Sequence, residues 1–86
     1  MKVFIPTPLR SYTGERSQVN AGGSTVSELV ADLDRRYPGI RFRMINEQDR
    51  IREHIKIFVN AELAPDLAVA VSPNDEVQII CALSGG

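Results

Sequence analysis

Apolar and polar residues alternate near both ends of the chain and repeat with a helical period between them. Residues 2–5 set Val3 and Ile5 on one face of an extended segment and Lys2 and Phe4 on the other. Pro6 and Pro8 stop regular pairing, Ser11-Tyr12-Thr13-Gly14 reads as loop, and a second short strand is expected near Arg16–Asn20. Ala21-Gly22-Gly23-Ser24-Thr25 marks a boundary. Thr25-Val26-Ser27-Glu28 then fits a capping box, with Thr25 accepting from a first-turn N–H and Glu28 reaching back. Val26, Leu29, Val30, Leu33 and Tyr37 form one apolar stripe that Pro38-Gly39 ends. The spacing predicts a helix over 26–37, about 18 Å long.

Residues 40–53 are irregular, with a helical turn expected around Phe42–Ile45. His54–Asn60 alternates strongly, placing Ile55, Ile57 and Val59 on one face and Lys56 and Phe58 on the other. Asn60-Ala61-Glu62 reads as a turn into a short extended piece, and Ser72-Pro73-Asn74-Asp75 turns the chain again. The last strand sets Val77, Ile79 and Cys81 against Gln78, Ile80 and Ala82. The order β, β, α, β, β, β predicts a single α+β domain over 1–86. One main helix packs on one face of a mixed sheet of four to five strands.

Composition narrows the function more than the fold. The chain has 86 residues, 43% hydrophobic and 24% charged, which is globular and large enough for one core. No apolar run is long enough for a membrane span, and Pro6 and Pro8 break the N-terminal segment too early for a signal peptide. The single cysteine fits a reducing cytoplasm. Net charge is −1. Six arginines nevertheless gather as Arg35, Arg36, Arg41, Arg43, Arg50 and Arg52, diluted by Asp34, Glu47, Asp49 and Glu53. That region reads as a solvated helix end and loop, not as a nucleic-acid site.

Catalytic chemistry is sparse. One His and one Cys cannot make a metal cluster by themselves. Cys81 reads as a small residue packed beside Val77 and Ile79 in preference to a nucleophile paired with His54, and His54 reads as a surface histidine. Asp32 and Asp34 do not face each other on a helix. Glu62, Asp66, Asp75 and Glu76 are expected in loops and turns, with no calcium-loop spacing. Gly22-Gly23 lacks the length and lysine of a phosphate loop and reads as a turn. No bound cofactor is expected.

Two features remain. If the β-branched faces cover the helix, Phe4, Phe58 and Ile80 gather on the open sheet face, rimmed by Lys2, Lys56 and Gln78. Such a cluster marks either a docking surface or a contact between copies. The other feature is the end, "ALSGG". Ala82 to Gly86 spans up to about 17 Å when extended, and glycine threads narrow channels because it has no Cβ. A carboxylate there becomes electrophilic once activated, for example as an acyl-adenylate, and no side chain shields the Gly86 carbonyl.

The segments "VFIPTPLRSYTG", "TVSELVADLDRRYPGI", "HIKIFVN" and "NDEVQIICALSGG" together resemble the ubiquitin-like sulfur carriers of the ThiS and MoaD type. The likeness extends over almost the whole chain. Its most specific part is Asn74-Asp75-Glu76-Val77 together with Ser84-Gly85-Gly86, and "IPTPLRSYTG" is most similar to the branch serving cysteine biosynthesis. The resemblance implies a β-grasp fold and a non-catalytic carrier with a flexible Gly-Gly tail. It also implies that a ubiquitin-activating-like enzyme spends ATP to adenylate Gly86, after which a sulfur donor makes the thiocarboxylate. Gly85 would thread the partner's channel, and Phe4, Phe58, Ile80 and Leu83 form the expected partner-binding set. Sulfur would pass to an acceptor enzyme, either a cysteine synthase type acting on O-phosphoserine-like substrates or a molybdopterin synthase large subunit. In the first route a metal-dependent protease frees the tail. Cys81 and Leu83 stand where such carriers often have other small or apolar residues. A subunit completing a larger enzyme, or a modifier joined to lysines, uses the same Gly86 carbonyl.

Overall fold

A computed structural model describes residues 1–82. Among them five strands and the main helix follow the expected order, with two short helices added: β1 (Lys2–Phe4), a 3-10 helix (Thr7–Thr13), β2 (Gln18–Asn20), α1 (Val26–Arg36), α2 (Ile40–Met44), β3 (Ile55–Val59), β4 (Glu62–Leu63) and β5 (Glu76–Cys81). The sheet order is β2-β1-β5-β3-β4, with β1 and β5 parallel at the centre and the other pairs antiparallel. The last strand therefore lies between the first and the third.

The alternation fixes which residues turn inward. Val19, Val3, Val77 and Val59 stand opposite one another across β2, β1, β5 and β3, and Ile57 faces Ile79 across the β3–β5 pair. Val3, Val19, Ile57, Val77 and Ile79 are buried, as are Val26, Leu29, Val30 and Leu33 on α1. Each large apolar side chain contributes about 2 kcal/mol relative to exposure. Helix and sheet thus close on each other through two stripes already visible in the sequence. Ile40, Met44 and Ile45 from the short α2 and its end complete the core beneath.

The helix start differs from the expected capping box in one detail. Thr25 Oγ1 accepts from the Glu28 N–H at 3.2 Å, but the Glu28 carboxylate accepts from Ser24 N–H at 2.8 Å, not from Thr25. The 67–71 segment pairs beside the helix start. It offers the carbonyls of Val69 and Leu67 to the first N–H groups, Val26 and Ser27, and Thr25 bridges to Ala70. Gly23 makes the close turn before it at φ 152°, where a Cβ would stand 2.7 Å from the Leu29 backbone nitrogen.

Four expectations need correction. Ser11–Gly14 is not open loop: the segment from Thr7 coils as a 3-10 helix, started by Pro8, whose missing N–H costs nothing in a first turn, and ended by Gly14 at φ 63°. The second strand begins at Gln18, two residues later than expected. Glu62 and Glu76 lie in strands instead of loops, because Asn60 and Ala61 turn tightly with φ 49° and 70°, leaving Glu62 to pair with Val59. Cys81 is half-buried at the margin of the core, not enclosed within it.

Candidate docking face and chain exit

The register arranges the open sheet face in rows. One row crosses all five strands as Gln18, Phe4, Gln78, Phe58 and Leu63, each opposite its neighbour. The next row toward the end of β5 pairs Ile80 with Lys56, and the row on the other side joins Asn20, Lys2 and Glu76. Phe4, Phe58 and Ile80 do share this face, each half-buried. Gln78 is the correction: it stands between the two phenylalanines on β5 instead of rimming them, because β5 is inserted between β1 and β3. The apolar row is consequently interrupted at its centre by an amide.

Leu63 was missed from the sequence. It is 55% exposed and extends the row past Phe58. A two-residue strand has too little alternation to announce its face. Beside Phe4 and Ile80 a groove of about 490 Å³ opens between the sheet and the 3-10 helix, walled by Pro6, Arg10, Ser17 and Cys81. It exists because Pro6 turns the chain away from β5 after Phe4. Arg10 Nε holds that turn by donating to the Ile5 carbonyl at 3.0 Å.

β5 is anchored at both ends. At its start Asn60 acts as a clasp: its Nδ2 donates to Asp75 at 2.8 Å and its Oδ1 accepts from Glu76 N–H at 2.9 Å. Asp75 also accepts from Ser72 N–H at 2.8 Å. The Asn60 amide and the Ser72 N–H hold the Asp75 carboxyl below the usual carboxylate range. At its end Ala82 N–H donates to the His54 carbonyl at 2.7 Å. The strand is thus bonded up to Ala82, on the sheet that carries Phe4, Phe58 and Ile80. Leu83, Gly85 and Gly86 lie outside the described residues.

The remaining candidates have structural partners or none that suit chemistry. His54 is exposed while Cys81 packs against the core, and Ile55, not His54, stands opposite Cys81. Among the described residues no three His, Cys, Asp or Glu side chains converge as metal ligands, and no helix is long and apolar enough to cross a membrane. A second hollow, about 530 Å³, lies between Gly22 and α1, where Arg35 and Arg36 both pair with Asp32. Asp32 also accepts from the Gly22 N–H at 2.9 Å. That bond first, and Arg36 and Arg35 after it, hold the Asp32 carboxyl below its ordinary value against the opposing effect of desolvation. Asp34 accepts from the N–H groups of Gly39 and Arg41, fastening α2 to α1.

Three of the other arginines of the basic region are engaged locally, and Arg50 is exposed. Arg41 pairs with Asp49 at 3.0 Å, and Arg43 donates to the Tyr12 hydroxyl at 2.8 Å. Arg52 donates to the Phe42 carbonyl and lies 5.0 Å from the centre of the Phe42 ring, which is 63% exposed. Of the interleaved acids Asp34, Glu47, Asp49 and Glu53, Asp49 is the one that pairs with an arginine among the described residues.

Comparison with known proteins places these features in a family. The model of the ThiS family matches residues 3–86. The sulfur carrier protein CysO of Mycobacterium tuberculosis strain H37Rv is 35% identical over 89 residues, covering 98% of this chain and 96% of that protein. A chain of the Amycolatopsis orientalis BexX/CysO complex superposes with a TM-score of 0.91 at 35% identity, covering 99% of this chain and 98% of that one. The small archaeal modifier protein SAMP1 of Haloferax volcanii is more distant, with a TM-score of 0.79 at 26% identity over 100% of this chain and 98% of that one.

Proposed function

We propose, from the premise that the chain belongs to the ThiS family, that it is a sulfur carrier of the ubiquitin-like β-grasp type whose Gly86 carries the sulfur as a thiocarboxylate. The near full-length identity to the CysO sulfur carriers is the observation that supports this most directly. In this reading the protein is a co-substrate and binds no cofactor; ATP belongs to its partner.

The chemistry follows from the poor reactivity of a free carboxylate. An adenylating enzyme joins the Gly86 carboxylate to AMP and releases pyrophosphate, giving a mixed anhydride. A hydrosulfide-level donor then attacks the carbonyl carbon: the C–S bond forms, the C–O bond to AMP breaks, and a thiocarboxylate remains. Gly85 and Gly86 present that carbon without side chains. Ala82 is fastened to His54 at the end of the described chain. The four residues beyond it span at most about 14 Å. An enzyme that encloses Gly86 must therefore rest close to the body, and Ile80, two residues before Ala82, makes the open face the natural seat. Phe4, Phe58, Ile80 and Leu83 are the proposed contacts, and Leu63 extends them.

The acceptor proposed is an enzyme of cysteine biosynthesis, by analogy with the CysO carriers, with protease release of the tail as the final step. Intact mass spectrometry after incubation with ATP, a cognate activating enzyme and a sulfur source tests the carrier role. The expected result is the mass gain of one oxygen replaced by sulfur, and its loss when a bulky residue is appended after Gly86. Failure of any such enzyme to adenylate the protein would refute the proposal. Lysine-linked conjugates as the sole product would point to a modifier instead.

A further inference from the structure

We infer that Lys2 and Lys56 are acylation sites whose modification switches the carrier off, because both lie inside the face on which the activating enzyme docks. The inference rests on the docking reading above and adds to it a control that the sequence and register supply.

The chain contains two lysines and eight arginines. Both lysines are on the open face. Lys2 precedes Phe4 by two positions on β1 and stands opposite Glu76, while Lys56 precedes Phe58 by two on β3 and stands opposite Ile80. Alternation along a strand returns side chains to one face every second residue, about 7 Å apart. The two amines therefore bracket the aromatic row, one on each side, and both are exposed. Lys56 is nearer the chain exit, since its partner Ile80 lies two residues before Ala82.

The rest of the positive surface is carried by guanidinium groups. Arg10, Arg36, Arg41, Arg43 and Arg52 are each bonded to a carbonyl, carboxylate or phenol. A guanidinium stays protonated at physiological pH and does not attack acyl groups, whereas a lysine amine does so readily. The third amine, at Met1, donates to the Ala21 carbonyl at 2.8 Å. Lysine chemistry is thus confined to the docking face.

The modifying step needs an acyl thioester or acyl-adenylate as donor. The deprotonated lysine amine attacks the carbonyl carbon, the C–N bond forms, the C–S or C–O bond breaks, and the leaving thiolate or AMP departs as the amine loses its proton. The product amide has lost its charge and gained bulk beside Phe4 or Phe58. A docked partner covers the same amines, so activation of Gly86 and acylation of either lysine exclude each other. One consequence is that a copy joined through Lys2 or Lys56 to the activated end of another cannot itself be activated.

The test uses the full-length protein treated with an acetylating reagent, with the extent of modification read by mass. Treated wild type, treated K2R/K56R and untreated samples of both are then given ATP, the cognate activating enzyme and a sulfur source. Treated wild type is expected to lose activation by about tenfold or more, the equivalent of one or two lost interface contacts. Treated K2R/K56R, which keeps Met1 as its one amine, is expected to stay close to its untreated rate, and thermal unfolding confirms that both remain folded. Full activity of the treated wild type overturns the inference, and so does an equal loss in the treated K2R/K56R protein, which would assign the effect to groups other than the two lysines. Either result leaves the carrier reading standing. Absence of activation in untreated wild type removes that reading, and the inference with it.

Discussion

The two faces of one sheet are made from alternate residues of the same strands, yet they differ in burial and in chemical character. On the covered face, Val3, Ile57, Val77 and Ile79 meet α1 and are almost wholly removed from solvent. On the open face, Lys2, Phe4, Lys56, Phe58, Gln78 and Ile80 mix apolar, amide and cationic groups and are at most half-buried. A one-residue step along any strand passes from one role to the other. On the docking reading, partners could therefore change along one face while the other keeps the fold.

The sharpest test of that division is Ile57→Ala. It empties a buried position opposite Ile79 and is expected to cost about 3 kcal/mol, lowering the melting temperature by roughly 15 °C. The fraction that remains folded should still be activated at the normal rate. Phe4→Gln with Phe58→Gln makes the converse case. Strand pairing survives, stability falls by about 1 kcal/mol, and activation by the adenylating enzyme drops about tenfold or more in steady-state assays. Equal effects of both variants on stability would break the comparison.

Gln78→Leu probes why the open face is interrupted. It would join Phe4 to Phe58 in one apolar row, with stability shifting by no more than about 0.5 kcal/mol. The expected cost is self-association, measured by sedimentation, because a continuous apolar strip attracts other copies. The smallest effect belongs to neither face. Asp32 is held below its ordinary value of 3.8 by Gly22 N–H and its arginines. Its contribution is therefore complete above about pH 4 and is lost as the pH falls through the lower folded value. Asp32→Asn should remove that acid-side dependence and cost about 1 kcal/mol at neutral pH, as read from denaturant melts.

Most of the fold was legible because burial imposes periodicity. Val26, Leu29, Val30 and Leu33 announced α1, and Ile55, Ile57 and Val59 announced β3, since each repeats with the period of its own element. The 3-10 helix was not legible, because its single turns of Pro8, Leu9 and Tyr12 have no period to repeat. The place of Gln78 was hidden for a different reason: alternation assigns a face but not a neighbour, and only the parallel pairing of β1 with β5 puts the amide between two rings. Asp32 and Asp34 were rightly set apart from each other, but their bonds to Gly22, Gly39 and Arg41 depend on how loops fold back, which spacing does not encode. Of the candidate site, Phe4, Phe58 and Ile80 came from register, whereas Leu63 required the Asn60–Ala61 turn.

The central position of β5 has a consequence for synthesis. The strand is flanked by β1, made first, and by β3, so the middle of the sheet stays vacant until residues 76–81 have left the ribosome. Such distant pairing folds slowly and only after residues 76–81 are made. A truncated product would lack the strand that joins the two halves, and would reach quality control as an open sheet with two unsatisfied edges.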